Sequence, residues 1–382
     1  MGSPAIESGN EQRSAVTTGA VASQSSLEPR FFVKPSLDEG QVAQWRGFAN
    51  EVPWADYHQD PAWGAIYEAD TSNKVRKPFF FWGEVDGRIC LTGVGVRRRL
   101  PVPNRFFWEF ERGPLVCDLT VMDRWLSWLS EWLGSRAIRV RVQPAMPLLE
   151  AGDDAETILE RQGFVRRRLL GIWSTLLVDI SLPEDQIFAA FSPYVRHRIR
   201  RSARLGIEVH CDDSPTGWSV LSNLQAELSK RAPVPPISEA AARATSLCWL
   251  NGGSGGTVLV ASLGDKVLAA AMIPIYRGTA YLRVIPSSGK HRELPTSFSL
   301  LWEAMRWARA QGCDTFDLGG YSLAARPEDP LWGVNEFKRR FAPYQIPCRS
   351  VAVHERVSST LVAEIGTALR HTQDRGRRLL RR

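Results

Sequence analysis

Two stretches of this chain repeat one order of segments, and that order leaves few folds open. KPFFFWGEVDGRICLTGVGVRRRL (77–100) reads as two β-strands around the turn VDGR. Asp-Gly between apolar runs is a strong hairpin signal, because both residues accept the positive φ of a tight turn. FFWEFERGPLVCD (106–118) reads as a third strand, DLTVMDRWLSWLSEWLGSR (118–136) as an amphipathic helix and AIRVRVQPAM (137–146) as a strand. Further on, residues 255–288 read as a three-strand meander with turns at LGDK and YRGT. SFSLLWEAMRWARAQGC (297–313) is then a helix ended by Gly312, and DTFDLGG (314–320) the strand after it. Meander, helix, strand, occurring twice, predicts a duplicated α/β (α+β) unit of about 150 residues.

The remaining segments fit around these two units. Residues 1–30 are rich in Ser, Gly, Ala and Thr and poor in large apolar residues, so a disordered tail is expected there. Domain 1 is expected over 31–175 and domain 2 over 176–355, with a basic C-terminal helix or tail over 356–382. Residues 33–63 read as helix and loop. EDQIFAAFSPYVRHRIRRSARLGIEVHCDD (184–213) reads as helix, helix, strand, and two helices over 218–232 and 237–251 are separated by the breaker PVPP. A last strand is expected over 349–354. Trp125, Trp128 and Trp132 fall on one helix face, a pattern that belongs to a core.

Charge and cysteine usage narrow the setting. With 48 Lys and Arg against 41 Asp and Glu the formal net charge is +7, and the excess is clustered. RHRIRRSAR (196–204) holds five arginines and 370–382 holds six. Such runs suit a polyanion: a tRNA, a nucleotide-linked precursor or an anionic membrane face; they equally suit a solvated helix face. The 6 cysteines form no CxxC and no HExxH is present, so the expectation is buried thiols in a reducing cytoplasm and no metal. No run of 18 or more apolar residues appears, and no secretory signal is visible. The expected location is the cytoplasm, with a peripheral contact to the inner face of the membrane through the C-terminal basic segment.

Five motifs then occur in order: HQDPAWG (58–64), ERGPLVCD (111–118), the segment 176–209 with its basic run before a Lys/Arg-x-Gly-hydrophobic strand, LLWEAMRWARAQGCDTFDLGG (300–320) and GVNEFKRRF (333–341). Together they resemble the Fem family of aminoacyl-tRNA-dependent non-ribosomal peptidyltransferases, over roughly residues 40–350. The meander–helix–strand order is also that of the GNAT acyltransferase fold. The resemblance implies two tandem GNAT-like domains facing a shared cleft. It implies transfer of an amino acid from aminoacyl-tRNA, as co-substrate, to an amine of a cell-wall or related envelope precursor.

The resemblance also implies roles. Phe337 and Lys338 match residues near the reacting ester. An aminoacyl ester is already activated, so aminolysis needs a deprotonated amine, a near-attack geometry and stabilisation of the developing oxyanion. A lysine ammonium supplies the last of these, and an aromatic beside it stacks on the terminal adenine or excludes water. Asp317 is a candidate base, or a side chain that ties down the Gly319-Gly320 turn through backbone N–H groups. Trp63 and Tyr67 belong to the entry segment, and Arg196, Arg200, Arg204 and Arg231 are candidate substrate-binding cations.

The chain departs from the family at two places. Members that hold a UDP-linked precursor carry a lysine where Tyr67 stands and an arginine where Pro235 stands. Both charges that would clamp a diphosphate are missing, which argues against a UDP-muropeptide acceptor. Two alternatives stay open. One is an acyl-CoA-dependent GNAT N-acyltransferase acting on a polysaccharide or natural-product amine, with SSGKH (287–291) offering N–H groups and a lysine to phosphate. The other is a non-catalytic binding protein that keeps the cleft for a glycan or nucleic acid.

Overall fold

The computed structural model describes residues 28–69, 76–100, 104–147, 153–167, 174–232, 234–250, 255–329, 331–345 and 347–357. The expected N-terminal tail up to residue 27 and the basic helix beyond 357 lie outside the described residues. In the first half the elements are β1 (Arg30–Lys34), α1 (Glu39–Glu51), α2 (Pro61–Ala69), β2 (Arg76–Val85), β3 (Arg88–Arg99), β4 (Phe106–Phe110), β5 (Leu115–Val116), α3 (Leu119–Leu133), β6 (Ala137–Val142), α4 (Asp153–Arg161) and β7 (Val165–Arg166). The second half begins with β8 (Ser174–Asp179), α5 (Glu184–Ala190), α6 (Pro193–Arg204), β9 (Glu208–Cys211), α7 (Pro215–Arg231) and α8 (Glu239–Leu250). It continues with β10 (Gly256–Leu263), β11 (Lys266–Tyr276), β12 (Thr279–Tyr281), α9 (Thr296–Ala310), β13 (Thr315–Gly320), α10 (Trp332–Phe341), β14 (Cys348–Arg349) and β15 (His354–Val357).

The duplication is real. β2, β3 and β4 pair antiparallel in series, α3 crosses over, and β6 returns parallel to β4. Likewise β10, β11 and β12 pair antiparallel, α9 crosses over, and β13 returns parallel to β12. The turn chemistry explains the meanders: Asp86 and Gly87 sit at φ 52° and 73°, and Arg277 and Gly278 at 50° and 74°. That pair of positive φ values is what a two-residue hairpin demands.

The second half also lends a strand to the first. Strand order in the first sheet is β1-β2-β3-β4-β6-β15-β7, and in the second β14-β8-β13-β12-β11-β10-β9. β8, which follows the first unit, sits beside β13; β15, which follows the second, is seated between β6 and β7. The single strand expected over 349–354 is thus two short strands in different sheets. β1 is a further difference: its alternation over RFFVK is too short to stand out from a polar leader, yet it pairs with the edge of β2.

Three apolar cores follow. One lies between the first sheet and α3 with α4, and includes Trp125, with Trp128 packed against it; Trp132 at the same face is 36% exposed. Another lies between the second sheet and the helices α5, α6 and α9. The third joins the halves: Trp45, Phe80 and Trp82 pack with Trp218, Leu221, Val258 and Met272. This shared core sets the halves side by side. Among the described cysteines only Cys313 is buried; Cys117, Cys211 and Cys348 are exposed, contrary to the expectation of buried thiols. No helix among the described residues is long and apolar enough to cross a membrane.

Candidate active site

The segment ADYHQD turns sharply because its own side chains hold it. Asp56 Oδ1 accepts from the His58 backbone N–H at 3.0 Å and lies 2.7 Å from His58 Nδ1. Asp60 accepts from Ala62 N at 2.9 Å, starting α2, and pairs with Arg46 through two contacts of 3.1 Å. Gln59 donates to the Glu111 carbonyl at 2.6 Å and accepts from Val94 N at 2.8 Å. It can do so because residue 113 is glycine: a Cβ there would lie 2.4 Å from the Gln59 amide carbon. In this way the first two motifs, distant in sequence, are locked together.

The lock brings charged groups to one place. Arg112 Nε donates to Asp56 Oδ2 at 3.0 Å, and its Nη1 to Ser350 Oγ at 2.8 Å. Tyr67 Oη donates to Glu111 Oε2 at 3.0 Å, and Glu111 Oε1 lies 3.4 Å from His58 Nε2. Asp56, His58, Glu111, Arg112 and Ser350 line a cavity of about 420 Å³ between the two sheets. The second half contributes Thr175, Arg283, Asp317, Gly319, Gly320 and Arg349 to its wall.

Electrostatics sorts the carboxylates. Burial works to raise the Asp56 pKa, but His58 and Arg112 outweigh it and hold the carboxyl well below its ordinary value. For Glu111 burial again raises, and His58, Arg283 and the Tyr67 hydroxyl bring the net below the usual range. Both are ionised at neutral pH. Asp317 differs: burial lifts it above its ordinary value although the Thr175 hydroxyl and the Gly319 N–H oppose the rise.

The Gly319-Gly320 turn is the opposite wall. Asp317 Oδ1 accepts from Gly319 N at 2.7 Å and from the Thr175 hydroxyl. Gly319 sits at φ +70°, and a Cβ would meet the Leu282 carbonyl at 2.7 Å, so only glycine suits the position. Lys338 donates to the Gly320 carbonyl at 2.6 Å and is only 8% exposed. Burial pushes its ammonium down to about 8, against the pull of Asp317. Lys338 reaches the turn from behind, out of the last turn of α10, and is not among the residues that line the cavity. Phe337 packs edge-on against Phe298 and Phe341, with ring centroids 5.1 and 5.3 Å away.

Of the residues singled out from sequence, Asp317, Gly319, Gly320 and Lys338 come together. Trp63 and Tyr67 lie buried behind the cavity, Trp63 edge-on to Tyr57, His58 and Tyr67. The arginines of α6 lie elsewhere, and none lines the cavity. Arg196 donates to the carbonyls of Ala189 and Phe191 at 2.6 Å each, capping α5. Arg200 lies 5.3 Å from the Phe188 ring centroid, and Arg204 is exposed in the last turn. Arg231 pairs with Glu227 at 2.9 Å and donates to the Ser287 carbonyl, bracing the 287–290 loop. Sequence reasoning missed Asp56, His58, Glu111, Arg112 and Arg283. The signal was present inside motifs it did quote: two acids around a histidine in ADYHQD, and Glu-Arg before Gly-Pro.

Residues 191–339 match the acetyltransferase (GNAT) domain family. No curated protein matches the sequence. Among solved structures the chain is similar to FemX at 12% identity, covering 89% of this chain and 99% of that one, with a TM-score of 0.71. It is similar to L-PGS from Bacillus licheniformis at 12% identity, covering 87% and 96%, with a TM-score of 0.50. It is similar to a tandem GNAT protein from the clavulanic acid biosynthesis pathway at 11% identity, covering 87% and 99%, with a TM-score of 0.51. The duplicated sheets, the domain match over residues 191–339 and these likenesses agree on one conclusion: the chain has a tandem GNAT fold, on the same plan as FemX.

Proposed function

We propose that the protein transfers an aminoacyl group from aminoacyl-tRNA to an amine of an envelope precursor. The observation that carries this reading is the cleft itself. It pairs an ionised carboxylate open to the cavity, Glu111, backed by the His58–Asp56 pair, with a glycine turn that has a buried ammonium behind it. The amine nitrogen attacks the ester carbonyl; the N–C bond forms and the bond from carbonyl carbon to the 3′-oxygen breaks. Glu111 takes the proton that the amine sheds and hands it to the 3′-oxygen as that oxygen leaves. His58 keeps its Nδ1–H on Asp56, so its Nε2 lone pair faces Glu111 and accepts the O–H that forms when the carboxylate takes the proton. Lys338 sets positive charge behind the Gly319-Gly320 wall, where negative charge develops.

The tRNA partner, the envelope acceptor and a membrane contact through 370–382 all belong to this reading. The cationic face of α6 supports a polyanion contact outside the cleft, since Arg200 and Arg204 are exposed. Turnover of charged tRNA by the purified protein, followed as loss of the labelled ester and mass spectrometry of the aminoacylated amine, tests it. Acetyl-CoA binding by calorimetry without any tRNA-dependent turnover would instead make acyl-CoA the donor.

A further inference from the structure

Nearly every charged side chain on the cavity wall already has a partner. Asp56 is held by His58 and Arg112, Glu111 by Tyr67, Asp317 by Thr175 and Gly319, and Arg112 by Asp56 and Ser350. Two do not: among the described residues Arg283 and Arg349 make no side-chain hydrogen bond or ion pair. Arg283 sits beside Tyr57, Glu111, Tyr67 and Asp56, yet its surface is open to the cavity. An unpaired guanidinium in a cleft offers a planar fork of N–H donors, and the group that matches it in shape and charge is a carboxylate.

We propose that Arg283, assisted by Arg349 at the rim, binds a free carboxylate of the acceptor, which thereby presents its amine to Glu111. This rests on the amine-acceptor reading above. Charge balance favours a carboxylate over a phosphate. The wall carries three carboxylates, Asp56, Glu111 and Asp317, against three guanidinia, Arg112, Arg283 and Arg349. A dianion or diphosphate placed there would face those carboxylates at short range, with little positive charge left to offset them. A zwitterionic end of a molecule, ammonium toward Glu111 and carboxylate toward Arg283, meets a complement at both poles. A space of about 420 Å³ holds such an amino-acid-like end and leaves the rest of a larger acceptor outside.

The test is titration of the full chain, without tRNA, by ligand-observed NMR. The probes are a panel of free amino acids, the matching α-carboxamides, inorganic phosphate and pyrophosphate. Free acids bind and their amides bind at least about 10-fold more weakly. Arg283→Gln lowers acid binding by about 10- to 100-fold, the range expected for a charge-assisted hydrogen bond, and leaves amide binding no weaker than in the parent. Arg283→Lys recovers only part, and Arg349→Gln costs less than Arg283→Gln. Retained amide binding also shows that the variants are folded. Equal binding of acids and amides, no binding by any acid, or displacement of the acids by phosphate or pyrophosphate at lower concentration overturns the proposal. Because no donor is present, failure of tRNA-dependent turnover with these results intact removes the donor reading alone.

Discussion

Replacing Lys338 with Met should make the protein more stable and much less active at neutral pH. A lysine whose pKa falls from 10.5 to about 8 costs about 3 kcal/mol of stability while it stays charged in the fold. The sign follows from proton counts. Between pH 8 and 10.5 the unfolded chain binds the proton more tightly, so stability rises with pH across that window, and below 8 the full cost is present. Methionine removes the cost but also loses the hydrogen bond to Gly320 O, about 1 kcal/mol for a neutral donor. Lys338→Met is therefore expected to stabilise by about 2 kcal/mol at pH 7 and to destabilise by about 1 kcal/mol above pH 10.5. Urea unfolding at both pH values reads the reversal. In the transfer assay kcat should drop by about 10²–10³ with little change in acceptor affinity, because the charge matters most in the transition state. Equal destabilisation at both pH values, or an unchanged kcat, refutes the reasoning and leaves Lys338 a structural donor.

Glu111→Gln should lower kcat by about 10²–10⁴ while tRNA binding, measured by filter retention, stays as in the parent; a kcat within a factor of a few moves the base elsewhere. Gly113→Ala forces a Cβ to 2.4 Å from the Gln59 amide and should cost about 1–3 kcal/mol in urea unfolding, which a neutral result would contradict. Arg200→Glu should weaken tRNA binding and flatten its salt dependence, and an unaltered slope returns α6 to a solvated face.

Much of this was open to sequence reasoning because it is local. Asp-Gly and Arg-Gly turns write hairpins into the chain, and the stripes on α3 and α9 write helices, so the duplication could be read from order alone. The Asp317 turn was equally local, an aspartate reaching two residues on to Gly319 N. What could not be read is what depends on pairs far apart. Gln59 meets Glu111 only because Gly113 lacks a Cβ, and Arg112 meets Ser350 across 238 residues. The five arginines of α6 drew attention by density, yet Arg196 spends its charge on two carbonyls of its own neighbourhood. Arg283, alone in a strand-like run, carries no such signal.

The lent strand sets a timetable for biogenesis. β7 ends at Arg166, yet β15, the strand that separates it from β6, ends at Val357. At roughly 5–20 residues per second of synthesis, the first sheet waits about 10–40 s with the edge of β6 unpaired. An open edge in that interval is a template for strands from other nascent chains. A chain cut after β14 would carry every strand of the second sheet and a first sheet that lacks β15.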